Sequence, residues 1–375
     1  MIKTALGLMS GTSMDGIDLA LVRTDGEAAI EFGPVMSVDY PAAFRRSIEV
    51  GLKDALKIKT ATDRMQRPGR LAQLEHDITL AHADAVVSFL KREALSPDDI
   101  DLLGFHGQTV LHRPKQGLTV QLGDGSQLAS LTGIATVFDM RARDMELGGQ
   151  GAPLVPVFHQ ALATRIARDR DGPIMFVNIG GISNVTYVDG ENDPIAFDSG
   201  PGNALIDQWV QAEGGIPFDQ GGRIASEGSV STVVLERYLA AAFFEKAGPK
   251  SLDRGDFKPL KPDELELSDG ARTLVEVSAA AIAKSAEHVP RTPVLWVLCG
   301  GGRLNEALVS SLRRALASTE ADVVLAEDVE LDGDMLEAQA FAYLAARSAK
   351  GLPLTFPTTT GCRQPVTGGL LAPAV

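Results

Sequence analysis

Ser10-Gly11-Thr12-Ser13-Met14-Asp15-Gly16 packs three hydroxyls, two glycines and a carboxylate into one short stretch near the N-terminus. Glycine lets a backbone come close to a ligand, and hydroxyls donate to phosphate oxygens. Asp15 and the nearby Asp18 would repel a bare phosphate. They make sense if Mg²⁺ stands between them and the anion, held directly or through water. A plain hairpin turn is the competing reading, because Asp-Gly favours one anyway. No GxxxxGK[ST] string occurs, so a Walker-type loop with its lysine is excluded.

Other stretches carry similar possibilities. Asn178, Gly180, Gly181, Ser183 and Asn184 form a second glycine tip, suited to the other side of a polyphosphate or to a bulged hairpin. Gly300-Gly301-Gly302-Arg303-Leu304-Asn305 follows the apolar run VLWVLC, which reads as a strand buried on both faces. A nucleotide can lie flat against such a turn, and a tight strand-to-helix connection fits equally well. It is not a dinucleotide fingerprint, because Asn305 stands where the last glycine of GxGxxG belongs.

Asp198, in FDSGPGN, is placed at a strand end before a sharp Gly-Pro-Gly turn. A carboxylate so held suits a general base, which must lie within ~3 Å of the proton it removes. A helix cap or Asx-turn is the bland alternative. Arg141 and Arg143 alternate after the strand ATVFDM and therefore point to opposite faces. One can grip a substrate carboxylate in a bidentate pair, while the other pairs with Asp144 or faces water. The spacing does not choose between them. His106, in GFHGQT, reads as a ligand contact or as a hydrogen-bonded structural histidine.

These residues need elements to hold them. Residues 3–9, 17–23 and 31–39 read as strands, followed by helices near 41–52 and 69–94. Strands are expected at 102–107, 118–123 and 135–140, with helices at 125–132 and 153–166. The pattern then restarts with strands at 174–180, 183–188 and 195–200 and helices near 203–213, 228–245 and 271–288. It closes with a strand at 294–301, a helix at 305–317, a strand at 321–327 and a helix at 335–349. ALGLMSGTSMDGIDLALV and MFVNIGGISNVTYV are each strand, glycine-hydroxyl tip, strand. We read a duplicated α/β domain with one such hairpin in each copy.

The chain has 375 residues, and a single core stops growing near ~250–300, so two domains are expected. The net charge of −14 argues against nucleic acid and anionic membrane surfaces as partners. An acidic chain that binds a nucleotide must build its positive site locally, from oriented backbone N–H groups. Cys299 and Cys362 form no CxxC pair and read as core thiols in a reducing compartment, and the six histidines lack zinc-ligand spacing. No targeting segment or long apolar run is present, so a cytoplasmic location is expected.

The order of the features resembles the acetate and sugar kinase, heat-shock chaperone and actin superfamily. More narrowly, GLMSGTSMDGID, GFHGQT, RARDMELGGQGAPLVP, NIGGISNVT, FDSGPGN, CGGGRLN and EAQAFAYLA resemble the anhydro-N-acetylmuramic acid kinase family across essentially the whole chain. Ser199 stands where that pattern has a threonine, which keeps a hydroxyl. The resemblance implies an α/β fold of two actin-like (ribonuclease H-like) lobes, mixed sheet plus helices, around a central cleft. We assign 1–130 plus 338–375 to the first lobe and 131–337 to the second.

The resemblance also implies ATP and Mg²⁺ as cofactors, an amino-sugar substrate, a role in recycling cell-wall peptidoglycan and, commonly, a homodimer. ATP contacts carry over onto Gly11, Thr12, Ser13, Met14, Asp15, Gly16, Ile17 and Asp18, with Gly180, Gly181, Gly300, Gly301, Gly302 and Asn305. The base carries over onto Asp198, and substrate contacts onto Arg141, Arg143, Asp144, Gly149 and Asp198. Metal contacts fall on Asp15, Asp18 and Glu337. Two alternatives stay open: an ordinary carbohydrate or carboxylate kinase, and a non-metabolic ATPase switch of the same fold.

Overall fold

This computed structural model describes residues 1–167, 171–252 and 255–374. The strands are β1 (Lys3–Ser10), β2 (Gly16–Thr24), β3 (Ile30–Asp39), β4 (Leu102–Arg113), β5 (Leu118–Leu122), β6 (Thr136–Phe138), β7 (Ile174–Ile179), β8 (Ile182–Val188), β9 (Ile195–Pro201), β10 (Leu295–Cys299), β11 (Asp322–Leu325) and β12 (Leu370–Ala372). The helices are α1 (Ala42–Ala55), α2 (Leu71–Arg92), α3 (Gly125–Thr132), α4 (Ala142–Glu146), α5 (Pro156–Ile166), α6 (Ala204–Gly214), α7 (Arg223–Glu227), α8 (Thr232–Leu239), α9 (Leu267–Lys284), α10 (Glu306–Ala315), α11 (Leu336–Ala349) and α12 (Pro357–Thr360).

The chain divides into two compact units: Met1–Leu162 with Met335–Val375, and Ala163–Asp334. The first boundary thus falls at 162/163, not at the expected 130/131. The segment 131–162 stays with the first unit because β6 pairs with β4 in its sheet. The second boundary moves by only a few residues, from 337/338 to 334/335.

Each unit is built on a mixed sheet. The first has strand order β12-β6-β4-β1-β2-β3, with β5 paired to β4, and the second has order β11-β10-β7-β8-β9. Five strands correspond one to one. In each unit an antiparallel meander (β1-β2-β3 or β7-β8-β9) is extended by two parallel strands (β4 and β6, or β10 and β11). The duplication read from the two glycine hairpins is therefore present in the strand order.

Burial follows from the patterns. β10, paired on both sides in parallel, is buried along its whole length. Trp296, Leu298, Trp209, Leu274, Ile282 and Leu308 join sheet to α6, α9 and α10 in the second unit. In the first, Leu6, Leu8 and Phe105 pack with Ile48 of α1 and with Ile78 and Phe89 of α2. Helix α11 lies directly on the same sheet. A Cβ on Gly7 would stand 1.8 Å from the Ala338 carbonyl oxygen, and one on Gly104 would stand 2.0 Å from that of Phe341. These glycines bring α11 down onto β1 and β4, which fixes where the first turn of α11 points.

Several expected elements differ. β4 does not end at residue 107 but runs on to Arg113, with Gly107 in the left-handed region (φ +69°) and a register shift against β1. β6 stops at Phe138 because Asp139 adopts φ +53°. Arg141 and Arg143 therefore sit at the start of helix α4, not on an extended strand. The helix expected over 228–245 shortens to α8, and β12 and α12 had no sequence signal. Both cysteines are buried and unpaired, as read, and burial pushes the Cys299 thiol up to about 12. Among the described residues no helix is long and apolar enough to cross a membrane.

Candidate active site

The first unit gathers one group of site residues around the β1–β2 tip. Register pairs Met9 with Asp18, so residues 11–15 form the tip, with Met14 at φ +58° and its N–H on the Gly11 carbonyl (3.2 Å). Buried Ser10 anchors the base. Its hydroxyl donates to Gln108 Oε1 (2.6 Å), and Gln108 Nε2 donates to the Gly11 carbonyl (3.0 Å). That one serine proton is then committed, so the Tyr40 hydroxyl, 3.1 Å away, is the donor to Ser10. Thr12, Ser13 and Asp15 face solvent, with the Ser13 hydroxyl on Asp15 (2.7 Å). Gly16 is required by packing, since a Cβ there would meet the Val38 carbonyl oxygen at 2.4 Å. Ile17 is a core side chain, 1% exposed, so only its backbone can face a ligand.

Asp18, half-buried on β2, accepts from the Ser37 hydroxyl (2.6 Å). Glu337 lies in the first turn of α11. It keeps solvent-exposed surface, yet the protein crowding it raises its carboxyl above the ordinary range; Arg141 opposes that shift and Asp18 reinforces it. Among the described residues no three His, Cys, Asp or Glu side chains converge as a metal-ligand group, so Asp15, Asp18 and Glu337 are not a ready-made cage.

The two arginines separate clearly. Arg143 is exposed and pairs with Glu146 one helical turn on (2.8 Å). Arg141 is half-buried. Its Nη1 donates to the Gly151 carbonyl (2.8 Å) and its Nη2 to His106 Nε2 (3.1 Å). Arg141 is thus the one placed with the tip, Asp18 and Glu337.

Asp144 is 1% exposed. It accepts from the Gly151 N–H (2.7 Å) and from the hydroxyls of Thr355 (2.5 Å) and Thr360 (2.6 Å), fastening the Gly148–Gly151 loop to the C-terminal segment. Gly149 wraps the same carboxylate, for a Cβ there would fall 2.1 Å from it. Both stand behind Arg141, through the Gly151 carbonyl that it grips. Asp144→Ala strands three buried donors, and we expect a loss of about 3 kcal/mol in thermal unfolding.

A part-open cavity of about 320 Å³ also lies in the first unit, bounded by Arg64, Glu75, His106, Gly107, Gly123 and Asp139 among others. In its wall Arg64 pairs with Asp139 (2.6 Å) and Arg67 with Glu75 (2.7 Å), while Asp124 caps α3.

The second unit holds the other group. The β7–β8 tip, Gly180–Gly181, is laced to the start of α6. The Gly202 and Ala204 N–H groups donate to the Gly181 carbonyl (3.0 and 3.1 Å), and the Asn203 N–H donates to that of Gly180 (2.8 Å). A Cβ on Gly202 would lie 2.3 Å from the Gly180 carbonyl oxygen. Asp198 is not at a strand end, because β9 continues to Pro201. It sits beside a bulge, where Ser183 pairs with Gly200 and Asn184 with Asp198, leaving Ser199 as the extra residue. Such bulges re-aim side chains. The Asp198 N–H donates to the Lys250 carbonyl (2.9 Å), and Asp198 Oδ2 accepts from the Leu252 N–H (2.7 Å). Ser199 turns inward onto Ser183 (2.7 Å), so its hydroxyl serves packing.

The glycine turn after β10 closes on the same tip. Gly300 has φ +72°, and a Cβ there would meet Asn178 Oδ1 at 2.3 Å; one on Gly302 would meet Ile179 Cγ2 at 2.2 Å. Gly301 faces open space and is the most exposed of the three. Asn305 is a helix cap, its Oδ1 accepting from the Leu308 N–H (3.1 Å).

Sequence reasoning assigned nothing to Arg303, which the structure makes the staple of this turn. It is 4% exposed and donates to the Gly300 carbonyl (3.1 Å), to Asp334 (2.8 Å) and to Glu327 (2.7 Å). Its two acidic partners lie 24 and 31 residues away, so no local spacing announces them. The partners of Asp198 at 250–252 and of Asp144 at 355–360 were missed for the same reason.

Comparison with known proteins bears on this arrangement. The family model described as anhydro-N-acetylmuramic acid kinase matches residues 3–374. A protein of that name from Brucella canis is 56% identical over 370 residues, covering 98% of each chain. Its counterpart from Rhizobium johnstonii is 54% identical over 372 residues, covering 99% of each. Among solved structures, a ROK family glucokinase from Streptomyces griseus in complex with glucose and AMPPNP is 13% identical, with a TM-score of 0.42, covering 92% of this chain and 99% of that one. That last likeness is too distant to carry an argument. A match along nearly the whole sequence at more than half identity does: the chain belongs to the anhydro-N-acetylmuramic acid kinase family.

Proposed function

We propose that the chain converts 1,6-anhydro-N-acetylmuramic acid, ATP and water to N-acetylmuramic acid 6-phosphate and ADP, a step in the recycling of cell-wall fragments in the cytoplasm. The observation that carries the mechanism is Asp198. It is a half-exposed carboxylate aimed by a β-bulge and a backbone N–H, in the same unit as the Gly180–Gly181 tip and the Gly300–Gly302 turn.

The chemistry sets the demand. The 6-oxygen of the substrate bridges to the anomeric carbon and has no proton, so a base aimed at a hydroxyl would find nothing to remove. Water attacks the anomeric carbon and gives its proton to Asp198. The bond from the anomeric carbon to the 6-oxygen breaks, and that oxygen forms a bond to the γ-phosphorus as ADP leaves. General-base help of this kind contributes ~10²–10⁴-fold.

The glycine-hydroxyl tips supply donors suited to polyphosphate oxygens. In phosphoryl transfer, positioning and charge stabilisation are most of the catalysis. No lysine occurs in Ser10–Asp18, so backbone N–H groups and the hydroxyls of Thr12 and Ser13 supply the donors. Asp18 and Glu337 suit Mg²⁺: each raises the cost of charging the other, and a cation with its own waters relieves that cost. Asp15, at the tip, would join through water. The cation would draw charge from the transferring group. Gly301 would lie against the nucleoside, and Arg141 would receive the lactyl carboxylate of the sugar, with Arg143 left in solvent.

In ¹⁸O-labelled water, mass spectrometry of the product should find the label on the anomeric oxygen and none in the phosphate. Label in the phosphate would remove the coupled route. ADP release compared across the anhydro sugar, N-acetylmuramic acid and N-acetylglucosamine tests the substrate. Turnover of a hydroxyl sugar without the anhydro one would make this an ordinary sugar kinase.

A further inference from the structure

We infer that His106 is a positioning residue that aims Arg141 at the substrate carboxylate and ties that aim to the β1–β2 tip. The inference rests on the reading of Arg141 as the carboxylate grip.

The two ring contacts fix the protonation of His106 by themselves. Nδ1 lies 3.1 Å from the Ser10 carbonyl oxygen, which only accepts, so Nδ1 carries a hydrogen. Nε2 lies 3.1 Å from Arg141 Nη2, which only donates, so Nε2 offers a lone pair. The ring is neutral and held in one tautomer. Its burial, with Arg141 adding to the effect, pushes the pKa down to about 3, so it stays that way across the working range. Both nitrogens are occupied and the residue is 6% exposed, which leaves no place for it as an acid or base.

The ring is fixed at its face as well as its edge. Phe341 of α11 packs on it with centroids 4.8 Å apart. Ser10, whose carbonyl orients the ring, is the residue locked by Gln108 and Tyr40 at the root of the tip. Arg141 is therefore held at two points, His106 on Nη2 and the Asp144-fastened Gly151 carbonyl on Nη1. Each amino group has one hydrogen left for a bidentate carboxylate. A shift of the tip backbone at Ser10 turns the ring, and the ring turns the guanidinium. The anion-binding end of the sugar and the phosphate-binding hairpin are thereby set by one side chain.

Two variants split the two contacts. In His106→Asn the amide nitrogen falls near Nδ1 and can serve Ser10, but nothing accepts from Arg141. In His106→Gln the longer amide oxygen reaches the Nε2 position and can accept from Arg141. Steady-state kinetics should show the KM for 1,6-anhydro-N-acetylmuramic acid raised roughly tenfold in His106→Asn, as expected for one charge-assisted hydrogen bond. The KM for ATP should stay within about twofold, and His106→Gln should recover most of the loss. Calorimetric binding of 1,6-anhydro-N-acetylglucosamine, which lacks the carboxylate, should be unchanged by His106→Asn.

An unchanged sugar KM in His106→Asn, or an equal loss for the carboxylate-free sugar, overturns the inference. Arg141→Met separates the two levels. If it raises the KM for the carboxylate sugar while His106→Asn does not, only the positioning role falls. If Arg141→Met leaves that KM unchanged, the grip reading falls and the inference with it.

Discussion

Asp198→Asn lowers turnover of the anhydro sugar by about 10³-fold while leaving ATP affinity within about twofold. The magnitude is that of a lost general base. The substitution is nearly isosteric, and the Asn oxygen still accepts from the Leu252 N–H, so the geometry at the bulge survives. What disappears is the ability to take a proton from water. The ATP contacts proposed for the Gly180–Gly181 tip and the Gly301 turn do not run through this carboxylate. The check is single-turnover ADP formation beside calorimetric ATP binding. Turnover within about tenfold of the parent would remove Asp198 as the base, whatever the binding result.

Gly7→Ala is expected to destabilise the first unit by ~3 kcal/mol or more, or to prevent its folding. The added Cβ would fall 1.8 Å from the Ala338 carbonyl oxygen and 2.6 Å from the Ala342 nitrogen. Both are backbone atoms of α11, and no rotamer change can move them aside. The helix must lift from β1, and with it goes a seam that includes Phe341 and Tyr343, each almost fully buried. Thermal unfolding measures the loss, and a shift of less than about 2 °C would show that α11 yields easily. Gly7 lies on the strand that leads into the hairpin, but its hydrogen side chain serves the helix on the sheet.

How much of this was legible follows from where the information lies along the chain. Both hairpins, the buried strand β10 and the helices α2 and α11 are written in local periodicity and turn residues, and they appear close to where they were expected. The ends of β4 and β9 were not. GFHGQT and FDSGPGN look like strand termini because of their glycines, yet pairing with β1 and β5, and with β8, carries the strands through irregular registers. The family resemblance puts Asp144 among the substrate contacts. Its burial depends on Thr355 and Thr360, more than two hundred residues away. Arg303 was visible as a residue inside a glycine turn, but its acids lie on a later segment. Long-range partners of this kind have no spacing to betray them. Residue type alone narrowed Arg141 and Arg143 to a pair, and only the short helix α4 leaves one half-buried and the other exposed.

The repeated strand order has an electrostatic corollary. Equivalent meanders give the chain two equivalent tips, but their charges differ. The first carries Asp15 and Asp18, whereas residues 178–184 of the second contain amide and hydroxyl side chains and no acid. Two acidic tips would repel a polyphosphate, and two neutral ones would leave a cation without a protein anchor. The doubled scaffold has broken its own symmetry into one tip with two carboxylates and one with none. On the function proposed above, the tip with the carboxylates is the one suited to a divalent ion.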